Sequence, residues 1–137
     1  LAEDGRLSRE MAECIETEDM MRFLRTKSGV RMLQAARNRK LYKEQPFVIS
    51  VNASEIYQGD LSGEKILVQG IIDVYFEEED GLVVLDYKTD RVRKAEELRE
   101  KYHAQLEYYA HALSQLTGKT VKEKIIYSFT MQKEIEV

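Results

Sequence analysis

Hydrophobic and polar positions along the chain change rhythm three times, and each change predicts a different kind of element. From Thr17 to Ala36 the apolar residues recur at helical spacing. Thr17, followed by Glu18 and Asp19, reads as an N-cap with acids in the first turn of a helix whose apolar side is Met20, Met21, Phe23 and Leu24. Ser28 is the expected cap of a second helix carrying Val30, Met32, Leu33 and Ala36. In "RNRKLYKEQPFVISVN" the pattern shifts to alternating and β-branched residues, a strand signature in which Pro46 marks a strand start or an edge. The turn-rich break "QGDLSGEK" follows. Ile66 to Phe76 and Leu82 to Lys88 are then the strongest predicted strands, joined through "EEEDG", where Asp80-Gly81 suits a two-residue hairpin turn. Helical spacing returns from Lys94 to Leu116, with Leu98, Tyr102, Leu106, Tyr109 and Leu113 as its stripe and Gly118 as its stop. The closing "VKEKIIYSFTMQKEIEV" reads as one strand or two. This order predicts an α/β fold with a mixed central sheet flanked by helices.

Length places all 137 residues in one domain, a helical part over 1–40 and an α/β core over 41–137. Hydrophobic residues at 43% and charged residues at 34% fit a globular protein with a core and a densely charged surface. No apolar run approaches the ~20 residues of a membrane helix, and "LAEDGRLSRE" lacks a signal-peptide layout, so an intracellular, cytoplasmic location is expected. Cys14 is the single cysteine, which excludes disulfides within the chain and leaves it as a small core or boundary residue. The net charge of -4 argues against gripping nucleic acid by bulk electrostatics. Its distribution is less hostile: Arg31, Arg37, Arg39, Lys40 and Lys43 form an acid-free stretch, and Lys88, Arg91 and Arg93 stand against Asp90 alone. Solvated faces and a phosphate-tracking surface both fit these stretches.

The chemistry concentrates in "GIIDVYFEEEDGLVVLDYKTD", where Asp73 interrupts one apolar run and Asp86 and Lys88 end the next. A buried charge costs several kcal/mol unless it is paired or holds a metal, so these residues need a reason. With Asp80-Gly81 as the loop, Glu79 pairs with Leu82 and Asp73 falls opposite Lys88. Period-two alternation then puts Asp73, Asp86 and Lys88 on one face; any two- or four-residue loop keeps them together, and a three-residue loop without a bulge splits them. Two carboxylates with a backbone carbonyl, such as that of Tyr87, suit a hard cation such as Mg²⁺ or Mn²⁺, and a neighbouring ammonium can stabilise charge or orient water. A cross-strand ion pair of purely structural kind is the competing reading. Glu77, Glu78, Glu79 and Asp80 read as a solvated turn. His103 and His111, eight residues apart, are too far apart on a helix to share one metal at i, i+4 spacing. Gln105 and Tyr109 stand at i, i+4 and share a helical face, although periodicity alone does not select them.

Taken in order, "YKEQPF", "VQGIIDVYF", "DYKTD", "QLEYYAHAL" and "VKEKIIYSF" resemble the RecB-like branch of the PD-(D/E)XK nuclease superfamily, nearest to AddA-type subunits of bacterial helicase/nucleases, across about Leu41 to Phe129. The resemblance implies a restriction-endonuclease-like sheet. It makes Asp73 and Asp86 metal-binding carboxylates, Lys88 the catalytic lysine, and Tyr87 a main-chain metal ligand. Gln105 and Tyr109 match the Q-x-x-x-Y element that supports the site and the substrate strand, and Glu44 matches a recurring acidic position. Mg²⁺, or Mn²⁺ in its place, is the implied cofactor, DNA the substrate, and an AddB-type subunit the partner in a full-length heterodimer. The implied activity is that of a DNA exonuclease module within an ATP-dependent helicase/nuclease of double-strand-break repair by homologous recombination. There are departures. The branch usually carries a metal-binding histidine upstream of the first strand, whereas no histidine precedes His103, and no Walker-type loop is present. A fragment of a larger subunit is the expectation that accommodates both. A nuclease-fold docking or DNA-holding module without catalysis is the alternative, against which the joint presence of Asp73, Asp86 and Lys88 argues. An iron-sulfur nuclease is disfavoured by the single cysteine.

Overall fold

The computed structural model describes residues 17–52 and 63–137; Cys14 and residues 58–62 of the turn-rich break lie outside them. Two helices, α1 (Thr17–Leu24) and α2 (Lys27–Arg37), precede strands β1 (Leu41–Asn52), β2 (Lys65–Glu78) and β3 (Gly81–Lys88). Helix α3 (Ala95–Thr117) then leads to β4 (Val121–Ser128) and β5 (Lys133–Glu136). The strands form one sheet in sequence order. β1, β2 and β3 pair antiparallel, β3 and β4 parallel, and β4 and β5 antiparallel. The mixed sheet follows in part from the connections: a two-residue turn joins β2 to β3 and a four-residue one joins β4 to β5, both antiparallel pairs, and a helical crossover links the parallel pair β3 and β4.

Each face of the sheet is covered by helices. Phe23, Met32 and Ala35 of α1 and α2 pack on Val74, Phe76, Val83 and Leu85. On the other face Leu98, Leu106, Tyr109 and Leu113 of α3 pack on Ile72, Leu82, Val84 and Ile126. β3 lies between the two layers and is buried from Leu82 through Asp86, which is why it reads as a continuous apolar run and not an alternating one. Pro46 falls inside β1 rather than at its start, and β1 is an edge strand, where a missing N–H is tolerated.

The second helix departs from its sequence reading. Its cap is Thr26, not Ser28: the Thr26 hydroxyl accepts the Gly29 N–H at 3.1 Å. Ser28 lies buried in the first turn, where its N–H has no partner within the helix and donates instead to Glu134 of β5 at 2.6 Å. The buried side is accordingly Ser28, Gly29, Met32 and Ala35, while Val30 and Leu33 are exposed. Ala36 and, on α1, Met20 and Met21 are exposed as well, leaving Phe23 as the inward anchor. Close approach explains the rotation, since a Cβ on Gly29 would sit 2.2 Å from the Phe23 carbonyl oxygen and 2.7 Å from Leu24 Cα. Gly29→Ala is therefore expected to cost about 1–3 kcal/mol, read as a lowered thermal midpoint; a parent-like melt would mean that the two helices separate without loss.

Candidate active site on the central hairpin

Strand β3 sends Val83 and Leu85 toward α1 and α2, and Leu82 and Val84 toward α3. Continuing the alternation, Tyr87 points to the α1–α2 side, where its hydroxyl lies 3.5 Å from Met32 Sδ and its ring meets Phe23 edge-on. Asp86 and Lys88 point to the α3 side. The partner strand is held in register by Glu78 opposite Gly81, Glu77 opposite Leu82 and Val74 opposite Leu85. The turn is thus Glu79-Asp80, one residue earlier than Asp80-Gly81. Gly81 belongs to the strand because its backbone runs against β4: a Cβ there would lie 2.8 Å from the Thr120 carbonyl oxygen. The loop is still two residues long, so the shared face survives, but the position opposite Asp73 becomes that of Asp86 and not that of Lys88.

The two carboxylates meet at this point. Asp86 is buried, with 1% of its surface exposed, and Asp73 accepts the Tyr87 N–H at 3.1 Å. Burial, and then the charge of Asp86, push the Asp73 carboxyl up to about 8, against the opposing pull of the Tyr87 N–H and Lys88. Lys88 Nζ lies 2.8 Å from Asp86 Oδ2, an ion pair of two largely buried side chains. The angles of that contact do not make a directed hydrogen bond, and Oδ2 of Asp86 is the one buried side-chain polar atom among the described residues that lacks one. A buried acceptor with an unused lone pair, beside a second carboxylate that resists ionisation, is the arrangement a divalent cation relieves. The donor set thus fits a hard metal through Asp73 and Asp86. Among the described residues no third histidine, cysteine or acid joins them in one group.

Helix α3 closes the site. Lys88 donates to Gln105 Oε1 at 3.1 Å, so Gln105 reaches the lysine directly. Tyr109 is buried against Phe47, ring centroids 5.4 Å apart, and its phenol is held above the usual range by burial and by Asp86 and Asp73. Glu44 is exposed on β1 between the pairs Lys43–Val74 and Gln45–Ile72, at the level of Asp73, in a left-handed conformation with φ 53°. A non-glycine residue with that φ inside a strand stores backbone strain. It coincides with a break in alternation on β2, where Ile72 and Val74, two residues apart, pack on opposite faces.

Other sequence candidates fall elsewhere. His103 and His111 are exposed, and His111 bonds Gln115. Arg31 does not belong to a phosphate-facing strip: it pairs with Glu78, at 2.7 Å, and with Glu123, and its bond to Glu78 holds that carboxyl down to about 2. The turn acids are not simply solvated either, since Glu77 pairs with Lys119 and Asp80 with Lys122. Tyr102 and Asp90, which the sequence reading assigned no part in the chemistry, stand beside Lys88. The lysine ammonium is 4.0 Å from the Tyr102 ring centroid, and the Tyr102 hydroxyl donates to Asp90 Oδ2 at 2.8 Å. A usable signal existed: Tyr102 precedes Gln105 by three residues and so shares its helical face.

The chain is similar to known proteins. The family described as the PD-(D/E)XK nuclease superfamily matches residues 3–136. A protein of Clostridium novyi (strain NT), named as an ATP-dependent helicase/nuclease subunit, is 42% identical over 137 residues, covering 96% of this chain and 11% of the relative. Proteins of the same name from Clostridium botulinum, strains 657 / Type Ba4 and Loch Maree / Type A3, are 42% identical over 132 residues, covering 93% of this chain and 10% of each relative. The chain spans about a tenth of the length of the curated relatives it matches.

Proposed function

This chain belongs to the PD-(D/E)XK nuclease superfamily, and from that premise we propose that it is the DNA exonuclease module of an ATP-dependent helicase/nuclease. In this reading it acts in the cytoplasm of a bacterium, with an AddB-type partner, in double-strand-break repair by homologous recombination. The names and lengths of the relatives support the context. The observation that carries the chemistry is the meeting of Asp73, Asp86 and Lys88 under Gln105, with a buried Asp86 oxygen that lacks a directed hydrogen bond.

Asp73 and Asp86, with the main-chain carbonyl of Tyr87, would hold Mg²⁺ or Mn²⁺. The cation would supply polarisation of the phosphoryl oxygen and a more acidic bound water. Lys88 supplies a fixed positive charge at the strand end, where it offsets the charge that builds on the phosphate as water attacks phosphorus and the P–O bond to the leaving sugar breaks. Gln105 accepts from the same ammonium and so limits where it points. Tyr109 fills the wall behind the carboxylates and keeps bulk water from them. Glu44 stands at the rim on the substrate side, and DNA passes across this edge.

Metal dependence tests the reading. The full-length protein should degrade linear double-stranded DNA with ATP and Mg²⁺, stop when EDTA is added, and resume with excess Mg²⁺ or Mn²⁺. ATP hydrolysis needs Mg²⁺ too, so the discriminating variant is Asp86→Ala, which should keep metal-dependent ATP hydrolysis and lose cutting. Cutting by Asp86→Ala at the parent rate would overturn the assignment.

A further inference from the structure

We propose that Tyr102 is a positioning residue for Lys88: its ring holds the ammonium in place from below, and Asp90 fixes the ring. The inference deepens the nuclease reading and rests on Lys88 acting there. An ammonium has three donors and no preferred direction, and Lys88 reaches it through a flexible stem. Beside two carboxylates its lowest-energy course is to pair with both, which would compete with a cation for the same oxygens. Beyond the pairing with Asp86 Oδ2 at 2.8 Å, two contacts limit that course: Gln105 Oε1 at 3.1 Å and the Tyr102 ring centroid at 4.0 Å. A divalent cation on the carboxylates would repel Lys88 and weaken the pull of Asp86 on it. Gln105 and the ring remain. The ring matters because a π face attracts a cation without using a lone pair and offers no proton acceptor to which the lysine could lose its charge.

Tyr102 is itself held. Its hydroxyl donates to Asp90 Oδ2 at 2.8 Å, and Lys101 Nζ meets the same oxygen at 2.7 Å. The Asp90 backbone carbonyl accepts from the Thr130 hydroxyl at 2.6 Å, which ties the segment after β3 to the β4–β5 turn. Lys101 also approaches the Tyr102 ring, at 5.2 Å, but its side chain is 60% exposed, against 15% for Lys88, so solvent weakens that second contact. The last acid of "DYKTD" thereby acquires a task two steps removed from the phosphate: Asp90 orients Tyr102, and Tyr102 orients Lys88.

The test compares variants in the full-length protein, scored by degradation of linear duplex DNA, by ATP hydrolysis and by thermal melting. Tyr102→Leu should lower the nuclease kcat about tenfold while KM for DNA and ATP hydrolysis stay near the parent. Tyr102→Phe keeps the ring and should lose only about twofold. Asp90→Asn, which leaves the hydrophobic core untouched, should lose no more than Tyr102→Phe and add nothing to it in the double variant, because Asp90 acts only through the Tyr102 hydroxyl; that pair carries the test if Tyr102→Leu melts early. Lys88→Ala with Tyr102→Leu should cut no worse than Lys88→Ala alone, because a residue acting through the lysine has nothing left to position. Equal losses in Tyr102→Phe and Tyr102→Leu, parent activity in folded Tyr102→Leu, or an additive double variant would each overturn the positioning role. A Lys88→Ala protein that still cuts would overturn the catalytic reading beneath it instead.

Discussion

Lys88→Ala in the full-length protein should reduce degradation of linear duplex DNA by about 10²–10⁴-fold, the usual scale for removing one group that stabilises transition-state charge. ATP hydrolysis and unwinding should continue, since the motor of the proposed helicase/nuclease lies outside these residues. The competing account is a structural ion pair, and burial makes it a serious one: the Lys88 and Asp86 side chains are 15% and 2% exposed. Truncating one member of a buried pair leaves the other charge unpaired and can cost about 3–5 kcal/mol. Lys88→Ala alone would then lose activity through unfolding. Asp86→Ala separates the two accounts, because it also removes a charge that faces Asp73. If the pair is structural, both variants melt early and retain activity in proportion to folded protein. If the site is catalytic, Asp86→Ala melts at or above the parent temperature and does not cut. An Asp86→Ala variant that melts normally and cuts at the parent rate would leave the residue without a chemical role.

Much of this arrangement was legible in the sequence because β3 is central and α3 is long. A strand buried on both faces must be apolar, so a carboxylate at its end stands out, and a 23-residue helix repeats its stripe often enough to fix its buried side. Its end at Gly118 was equally plain. The register of the hairpin was less so. Asp80-Gly81 is a good turn pair by local preference, yet Gly81 is needed to clear the Thr120 carbonyl at the start of a strand some forty residues away. The same kind of contact rotated α2, where Gly29 is placed by Phe23 and Leu24 and not by its own helix. Both misreadings involve a glycine whose role is a long-range or inter-element approach, which spacing does not reveal. The part given to Tyr102 escaped for a different reason: an aromatic in an apolar stripe looks like core, and only the position of Lys88 shows what lies over its face.

Asp73 should make metal affinity depend on pH in a stated direction. Its carboxyl is raised from the ordinary value near 3.8 to about 8 in the folded protein, first by burial and then by Asp86. A raised acid contributes stability that is fully present below the unfolded value and is lost as pH rises through the folded one. The metal-free chain therefore loses stability between about pH 4 and pH 8 on account of this residue, by a few kcal/mol as an order of magnitude. Asp73→Asn abolishes that dependence. It should melt higher than the parent near pH 8 and about equally near pH 4, with the gap opening between, measured as thermal midpoints of both proteins across that range without divalent cations. Metal binding must displace the same proton, so the apparent affinity for Mn²⁺ should climb with pH and level off above about 8, with protons released on binding. Calorimetry in two buffers of different ionisation enthalpy reads that release directly. Asp73→Asn should bind Mn²⁺ weakly at every pH and cut no DNA despite its higher melting temperature, since the charge that destabilises the empty site is the one that holds the cation. A parent protein whose Mn²⁺ affinity is the same at pH 6 and pH 8 would show that Asp73 is already ionised, and that its carboxylate is held by something other than the cation.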